Sequence, residues 1–453
     1  MRYHIKHLGP IKEATIDVKP LTIFVGPNNA GKTWAMHLWA SIAGPYNHDA
    51  VVDAVVEDGA DKAGYEDVFA FAGDLASKGT ARVDLVEAAP RLVTAFVSDL
   101  CRMAVRRLAA YLGTTRGKFP GLAVSLDVAD NLDAILMRLA SMEIRIRVGG
   151  RDGSEALLLR KGRGQTVCEG LVVDGATDSP SAELLAQLTA STLLQAVHQA
   201  VVRDVVCFPT ERPLPFCGLM PPLKVLESTI HLGSGDPSPD RANWPVSQPL
   251  ANALWVAADG AKASRRPSSH AGLADILEAR VLGGSVAADD AESGTEYVFE
   301  LPGTGVRLEC AVCSSMVKEL ALLTIYLRYQ AESGDALCID EPEMNLHPEA
   351  LVKLTEFLGI LVNSGLNVMA TTHSSYLVDH LSNLLKAGAR EDRDEIAPRF
   401  YLQDPRAFLT PDQVGVYLFE DGKVRSIVDD DGHIDWGTFG DVSDRISTIH
   451  YNL

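Results

Sequence analysis

The chain has 453 residues, 47 % of them apolar and 22 % charged, ordinary globular usage that excludes a disordered, collagen-like or coiled-coil chain. A net charge of −19 argues against a broadly basic nucleic-acid-coating protein but leaves room for a local basic groove. Seven scattered cysteines do not form a disulfide framework, the first residues lack the apolar stretch of a signal peptide, and no apolar run reaches the ~18 residues that span a bilayer; the expectation is a cytoplasmic protein with no membrane contact.

Residues 3–8 and 14–18 read as two short strands around Gly9-Pro10, a hairpin signal. Leu21-Thr22-Ile23-Phe24-Val25 is an apolar run ending at a glycine, the pattern of a strand buried on both faces. From Thr33 the period turns helical through Trp34, Leu38, Trp39 and Ile42. Residues 44–141 are rich in Ala and Leu, with amphipathic helices expected at 88–112 and 129–141. A second hairpin is expected at 142–148 and 156–161 around a Gly-rich turn, followed by a helix at 181–199 and a strand at 202–208. Residues 209–251, rich in Pro, Gly and Ser, read as a long connection. Then come a helix near 273–281, strands at 297–301 and 306–311, a helix at 314–328, a strand at 337–339, a helix at 348–362 and a strand at 367–371. Residues 414–419 and 423–428 are strand-like, and a short helix closes the chain.

Gly26, Pro27, Asn28, Asn29, Ala30, Gly31, Lys32 and Thr33 match the pattern G-x-x-x-x-G-K-[ST]. The match lies between a predicted strand and a predicted helix. There the glycines let backbone N–H groups turn towards phosphate oxygens, and the helix N-terminus adds partial positive charge. Lys32 can reach the β/γ-phosphates and the Thr33 hydroxyl can ligate Mg²⁺.

About three hundred residues later, Ala336-Leu337-Cys338-Ile339-Asp340-Glu341 is an apolar strand ending in two carboxylates. Beside the phosphate-loop strand, Asp340 would stand near Mg²⁺, and Glu341 would polarise an attacking water. Taken alone, His373 is a loop histidine. At the end of the strand 367–371 it stands where parallel sheets bind ligands.

These segments together resemble the ABC-type ATPase heads of the SMC and DNA-repair group, and more closely the OLD (overcoming lysogenisation defect) type of ATPase. The carriers are HLGPIKEATIDVKPLTIFVGPNNAGKT, LCIDEPEMNLHPEA and ATTHSSYLV, with CFPTERP as a Pro-x-x-Arg segment. The resemblance implies an α/β fold: a P-loop ATPase head with a mixed sheet, N-terminal antiparallel hairpins and a helical lobe insertion. It also implies ATP and Mg²⁺ as ligands. Gly26 to Thr33 would hold phosphates, Thr33 and Asp340 the metal, Glu341 would be the general base and His373 the γ-phosphate sensor. Asn345 and His347 would belong to a dimer-facing loop. Two heads of this kind sandwich ATP, each phosphate loop facing the signature helix of the other. Here Ser314 and Ser315 open the matching helix, with Met316 where glycine is usual. Gln165, Gln187, Gln195 and Gln199 are the candidates for a Q-loop glutamine.

The organisation expected is a phosphate-loop part at 1–44, a helical and hairpin insertion at 45–200, a loop-rich connection at 201–270, the second part of the ATPase domain at 271–398 and terminal strands with a helix at 399–453. About eighty residues follow His373, short for an added catalytic domain. The expected partners are therefore a second copy of the chain, as a homodimer or larger homo-oligomer, and a separate nuclease or toxin effector in anti-phage defence. The alternative is a DNA-repair ATPase that clamps DNA on head closure. Arg145, Arg147, Arg160, Lys161 and Arg163 form the basic patch expected to make any DNA contact. Cys310 and Cys313 form a C-x-x-C without a partner pair and read as buried cysteines rather than a zinc site. Asp429-Asp430-Asp431-Gly432 reads as a hairpin turn. Arg91, Arg102, Arg106 and Arg107 read as a solvated helix face.

Overall fold

The computed structural model describes residues 1–44, 64–114, 119–149, 155–172, 181–216, 247–260, 266–291, 294–435 and 448–449. The chain divides into two compact units. One comprises Met1–Arg2, Ile42–Arg106 and Val124–Asp204; the other comprises Tyr3–Ser41, Arg107–Ala123 and Val205–Leu453.

The chain opens with β1 (Arg2–Leu8) and β2 (Ile11–Asp17), joined at Gly9-Pro10, then β3 (Leu21–Val25) and α1 (Lys32–Ala43). The shorter unit carries α2 (Glu66–Lys78), β4 (Thr80–Asp84), α3 (Leu85–Tyr111), β5 (Ala123–Asp127), α4 (Leu132–Ser141), β6 (Ile144–Gly149), β7 (Glu155–Lys161), β8 (Val167–Val172) and α5 (Ala182–Val201). The longer unit resumes with β9 (Val205–Phe208), α6 (Gln248–Gly260), α7 (Ala271–Leu277), β10 (Ser285–Ala291), β11 (Gly294–Glu300), β12 (Arg307–Glu309) and α8 (Ser315–Tyr329). It ends with β13 (Ala336–Asp340), α9 (Pro348–Asn363), β14 (Asn367–Thr372), α10 (Ser375–Gly388), β15 (Val414–Glu420) and β16 (Lys423–Ser426).

In the longer unit eight strands lie side by side in the order β1-β2-β16-β15-β3-β14-β13-β9. β15, β3, β14, β13 and β9 run parallel, while β15 and β16 form an antiparallel hairpin. The sheet is therefore mixed and the fold α/β, as expected for a P-loop ATPase head. Every residue of β3 and β13 is buried, because helices cover both faces of a parallel sheet. The alignment Cys338 with Cys207 and Asp340 with Thr371 brings the carboxyl ends of β3, β14, β13 and β9 to one edge, where such sheets bind ligands.

The second hairpin grows into a four-stranded antiparallel sheet in the order β4-β8-β7-β6. Arg145 faces Arg160, Arg160 faces Glu169, and Glu169 faces Arg82 across successive strand pairs. Side chains directly opposite share a face, so Arg82, Arg145, Arg147 and Arg160 lie together on the exposed side. The other side carries Leu157, Leu159 and Cys168, all buried, and a Cβ at Gly170 would touch Phe71 and Leu75 of α2.

Several expectations need correction. Lys161 does not belong to the basic patch. It sits on the buried side, fully enclosed, and its ammonium donates to the carbonyls of Ala140 at 2.9 Å and Met142 at 2.8 Å. The connection at 209–251 ends early, because α6 starts at Gln248; residues 217–246 lie outside the described set, as do the turn at 150–154 and nearly all of the closing helix. The strand expected at 306–311 stops at Glu309, and Cys310–Val312 is a 3₁₀ turn. β10, which the sequence reading left out, adds a third strand beside β11 and β12. Cys310 and Cys313 are buried, and burial raises both thiols above their ordinary value. Asp429 accepts from the N–H groups of Asp431 and His433 in a tight turn, as expected. Arg91 pairs with the partly exposed Asp67, whereas Arg102 pairs with the buried Asp99.

Candidate active site

The phosphate loop hangs between β3 and α1. Gly26 has φ +135° and a Cβ there would stand 2.3 Å from the Phe419 carbonyl, so β15 requires glycine at that point. Gly31, at φ +96°, turns the chain into α1. Lys32 is almost fully buried, and its ammonium donates to the carbonyls of Gly26 at 2.9 Å and Pro27 at 2.8 Å. Those carbonyls hold the cation in the loop, where phosphate oxygens can compete for it. Burial lowers the Lys32 pKa to about 8, against the pull of Glu341, Asp340 and Glu343.

Thr33 and Asp340 meet across the strand ends, the Thr33 hydroxyl donating to Asp340 Oδ1 at 2.9 Å. The Thr371 hydroxyl donates to the same oxygen. A threonine hydroxyl and a carboxylate side by side are hard oxygen donors suited to Mg²⁺. Among the described residues no group of three His, Cys, Asp or Glu could hold a metal by itself. A magnesium held here would take its remaining ligands from phosphate and water.

Glu341 follows at φ +47°, an uncommon conformation for a residue with a Cβ. Its N–H donates to the Thr371 hydroxyl at 3.1 Å and carbonyl at 3.2 Å. Its carboxylate Oε1 lies 3.3 Å from His373 Nε2, and both side chains are about one-third exposed, at 32 % and 28 %. Glu343 secures the histidine strand end, accepting from the Thr372 hydroxyl at 2.7 Å and the His373 N–H at 2.6 Å. The arrangement thus offers a cation for phosphate, two oxygens for a metal and a carboxylate–imidazole pair open to a reacting water.

Asn345, at φ +58°, donates to Glu319 Oε1 at 2.9 Å. His347 is the N-cap of α9. Ser314 is the N-cap of α8, its hydroxyl accepting from Val317 N–H, and Ser314 and Ser315 are both exposed. Among the described residues no hydrogen bond joins either serine to the phosphate loop of the same chain. Met316 packs its side chain against the core, so it turns away from the exposed opening of the helix. The four candidate Q-loop glutamines all belong to the shorter unit, and the phosphate loop belongs to the longer one.

The sequence reading marked Arg212 only as the arginine of the Pro-x-x-Arg segment CFPTERP, without a role, and left out Glu319. Arg212 is 2 % exposed and donates to the main-chain carbonyls of Pro209 at 3.1 Å, Asp340 at 2.7 Å and Glu341 at 3.0 Å. Its Nε lies 2.8 Å from Glu319 Oε2. Burial lowers the Arg212 pKa and raises that of Glu319, and in each case the partner opposes the shift. Two signals mark the pair: the Pro-x-x-Arg segment CFPTERP, whose arginine is Arg212, and an acid, Glu319, on the core-facing side of α8.

Residues 175–379 match the family described as "AAA domain, putative AbiEii toxin, Type IV TA system". That segment holds Arg212, Glu319, Asp340, Glu341 and His373, and the phosphate loop precedes it. No curated protein matches the chain. Among solved structures, the SMC head bound to the C-winged helix domain of ScpA is 10 % identical, with 94 % of this chain and 96 % of that chain covered and a TM-score of 0.36. The SMC head domain with an extended coiled coil bound to the C-terminal domain of ScpA, from Pyrococcus furiosus, is 11 % identical, with 99 % and 98 % covered and a TM-score of 0.35. The SMC head domain from Thermotoga maritima is 10 % identical, with 94 % and 97 % covered and a TM-score of 0.32. No helix among the described residues is long and apolar enough to cross a membrane.

Proposed function

We propose that this AAA-type chain binds ATP at Gly26 to Thr33 and hydrolyses it. The observation that carries the reading is the convergence of Lys32, the Thr33–Asp340 pair and the Glu341–His373 pair on one edge of a parallel sheet. Lys32 exchanges its two loop carbonyls for β/γ-phosphate oxygens. Glu341 orients a water and accepts its proton, and His373 keeps that carboxylate in place and contacts the γ-phosphate. Thr33 and Asp340 would hold Mg²⁺, which when bound neutralises charge on the phosphate oxygens. The test is ATP binding and phosphate release by the wild-type chain and by Glu341→Gln. Retained binding with hydrolysis lost supports the reading; hydrolysis unchanged in Glu341→Gln contradicts it.

The same proposal has two copies closing head to head, with the exposed Ser314 and Ser315 of one chain meeting the phosphates held by the other. It further has this cycle controlling a separate nuclease or toxin in anti-phage defence. The likeness to OLD-type ATPases and the toxin–antitoxin wording of the matched family support that role. Purification with the product of the neighbouring gene tests it: no co-purifying partner, and no dependence of activity on one, sinks the idea.

A second reading, an ATPase that clamps DNA, is favoured by the exposed face bearing Arg82, Arg145, Arg147 and Arg160 with Glu169. It predicts ATP-dependent duplex binding that weakens steeply with salt. Binding that is absent, or indifferent to salt, rules it out.

A further inference from the structure

Arg212, Glu319 and Asn345 form a chain of polar contacts between three elements, buried at Arg212 and Glu319 and reaching the surface at Asn345. Arg212 leaves the end of β9, Glu319 stands on the second turn of α8, and Asn345 belongs to the turn after β13. All three guanidinium nitrogens are engaged, two on main-chain carbonyls and one on Glu319. Glu319 is enclosed and shared, Oε2 by Arg212 and Oε1 by Asn345. A pocket bordered by Phe208, Leu320, Leu323, Ile339 and Leu354 lies against both charges, so the pair sits in apolar surroundings that strengthen its attraction.

Stability does not explain the pair. A buried ion pair seldom stabilises a fold more than apolar residues of the same volume would, although removing one partner alone is costly. What an apolar pair cannot do is grip carbonyl oxygens. Arg212 holds the carbonyl of Glu341 while Thr371 holds its N–H. The residue is thus held through both of its flanking peptide units in a left-handed conformation it would otherwise leave. The other end of the clamp is α8, whose opening residues are Ser314 and Ser315.

We propose that Arg212 and Glu319 are positioning residues that make the placement of the Glu341 carboxylate depend on the placement of the α8 N-terminus. This rests on the ATPase reading above and deepens it: a ligand meeting Ser314 acts on hydrolysis through α8, Glu319 and Arg212, and ATP affinity is left unchanged. A lysine at 212 keeps the charge but presents a single ammonium instead of a planar fork, so it cannot span the same acceptors.

The test separates binding from chemistry in the full chain. ATP affinity is measured with a fluorescent analogue and hydrolysis by single turnover, for wild type, Arg212→Lys, Glu319→Gln and the double variant Arg212→Met/Glu319→Leu. The double variant removes both charges, so it leaves no orphan charge to unfold the protein, and thermal unfolding checks this. The expected result is hydrolysis lowered about a hundredfold, as for a misplaced reacting group, with affinity kept in all three. Wild-type hydrolysis in the folded double variant overturns the proposal, and so does affinity lost in step with rate. If the wild type binds ATP without hydrolysing it, the ATPase reading fails by itself. The coupling is then read by hydrogen exchange: ATP-dependent protection of residues 341–345 that disappears in the double variant supports it, and protection unchanged there overturns it.

Discussion

The two main sheets of this chain bury their residues differently, and the difference decides what each can do. In the sheet around β3, β14 and β13 both faces are covered, so the strands hold the core and the polar residues are pushed to the strand ends, where Thr33, Asp340, Glu341, Thr371 and His373 meet. In the sheet β4-β8-β7-β6 one face packs on α2 and the other shows arginines to solvent. The first concentrates chemistry at an edge; the second spreads charge over a surface. Substitutions at the strand ends should therefore change activity with little change in stability, and substitutions inside the small sheet should do the reverse.

The largest effect expected is at Glu341. Glu341→Gln should lower hydrolysis by about 10²–10⁴, the usual loss for a general base, with the melting temperature close to wild type. A comparable loss of stability would break the contrast between the sheets. Lys161→Met should do the opposite. It leaves the carbonyls of Ala140 and Met142 without their donor, costing about 1–3 kcal/mol in denaturant unfolding, with ATP affinity unchanged.

A pH titration of ATP affinity sharpens the account of the large sheet. The Lys32 ammonium titrates at about 8 in the nucleotide-free protein, and phosphate needs the charged form. Affinity should therefore be full below that value and fall about tenfold between pH 7 and pH 9. A flat profile would mean that Lys32 stays charged throughout. The smallest effect belongs to Arg145→Thr. Arg145 stands directly opposite Arg160, and like charges so placed destabilise a sheet, so removing one should stabilise by about 0.2–1 kcal/mol.

The same contrast explains what the sequence showed. β3, β13 and β14 could be read because strands buried on both faces appear as unbroken apolar runs ending at glycine, acid or histidine. β4, β8 and β10 could not. TARVD, VCEGLV and SVAADDA carry outward charges or small residues that mask the alternation. Lys161 was legible and misread: it shares the parity of the buried Leu157 and Leu159, which turns it inward. The phosphate loop and the acidic strand end are local patterns, so their residues could be named in advance. Arg212 and Glu319 are far apart in the chain, and only the packing of α8 against β9 and β13 brings them together.

Head-to-head closure around ATP is tested most directly by the mass in solution of Glu341→Gln, measured by light scattering with and without ATP and Mg²⁺. The substitution keeps nucleotide bound while slowing its loss. A smaller species converted by ATP into a dimer, or a multiple of dimers, is the predicted result, and it would put Ser314 and Ser315 within reach of a second copy's phosphates. A chain that stays monomeric with ATP bound would contradict it.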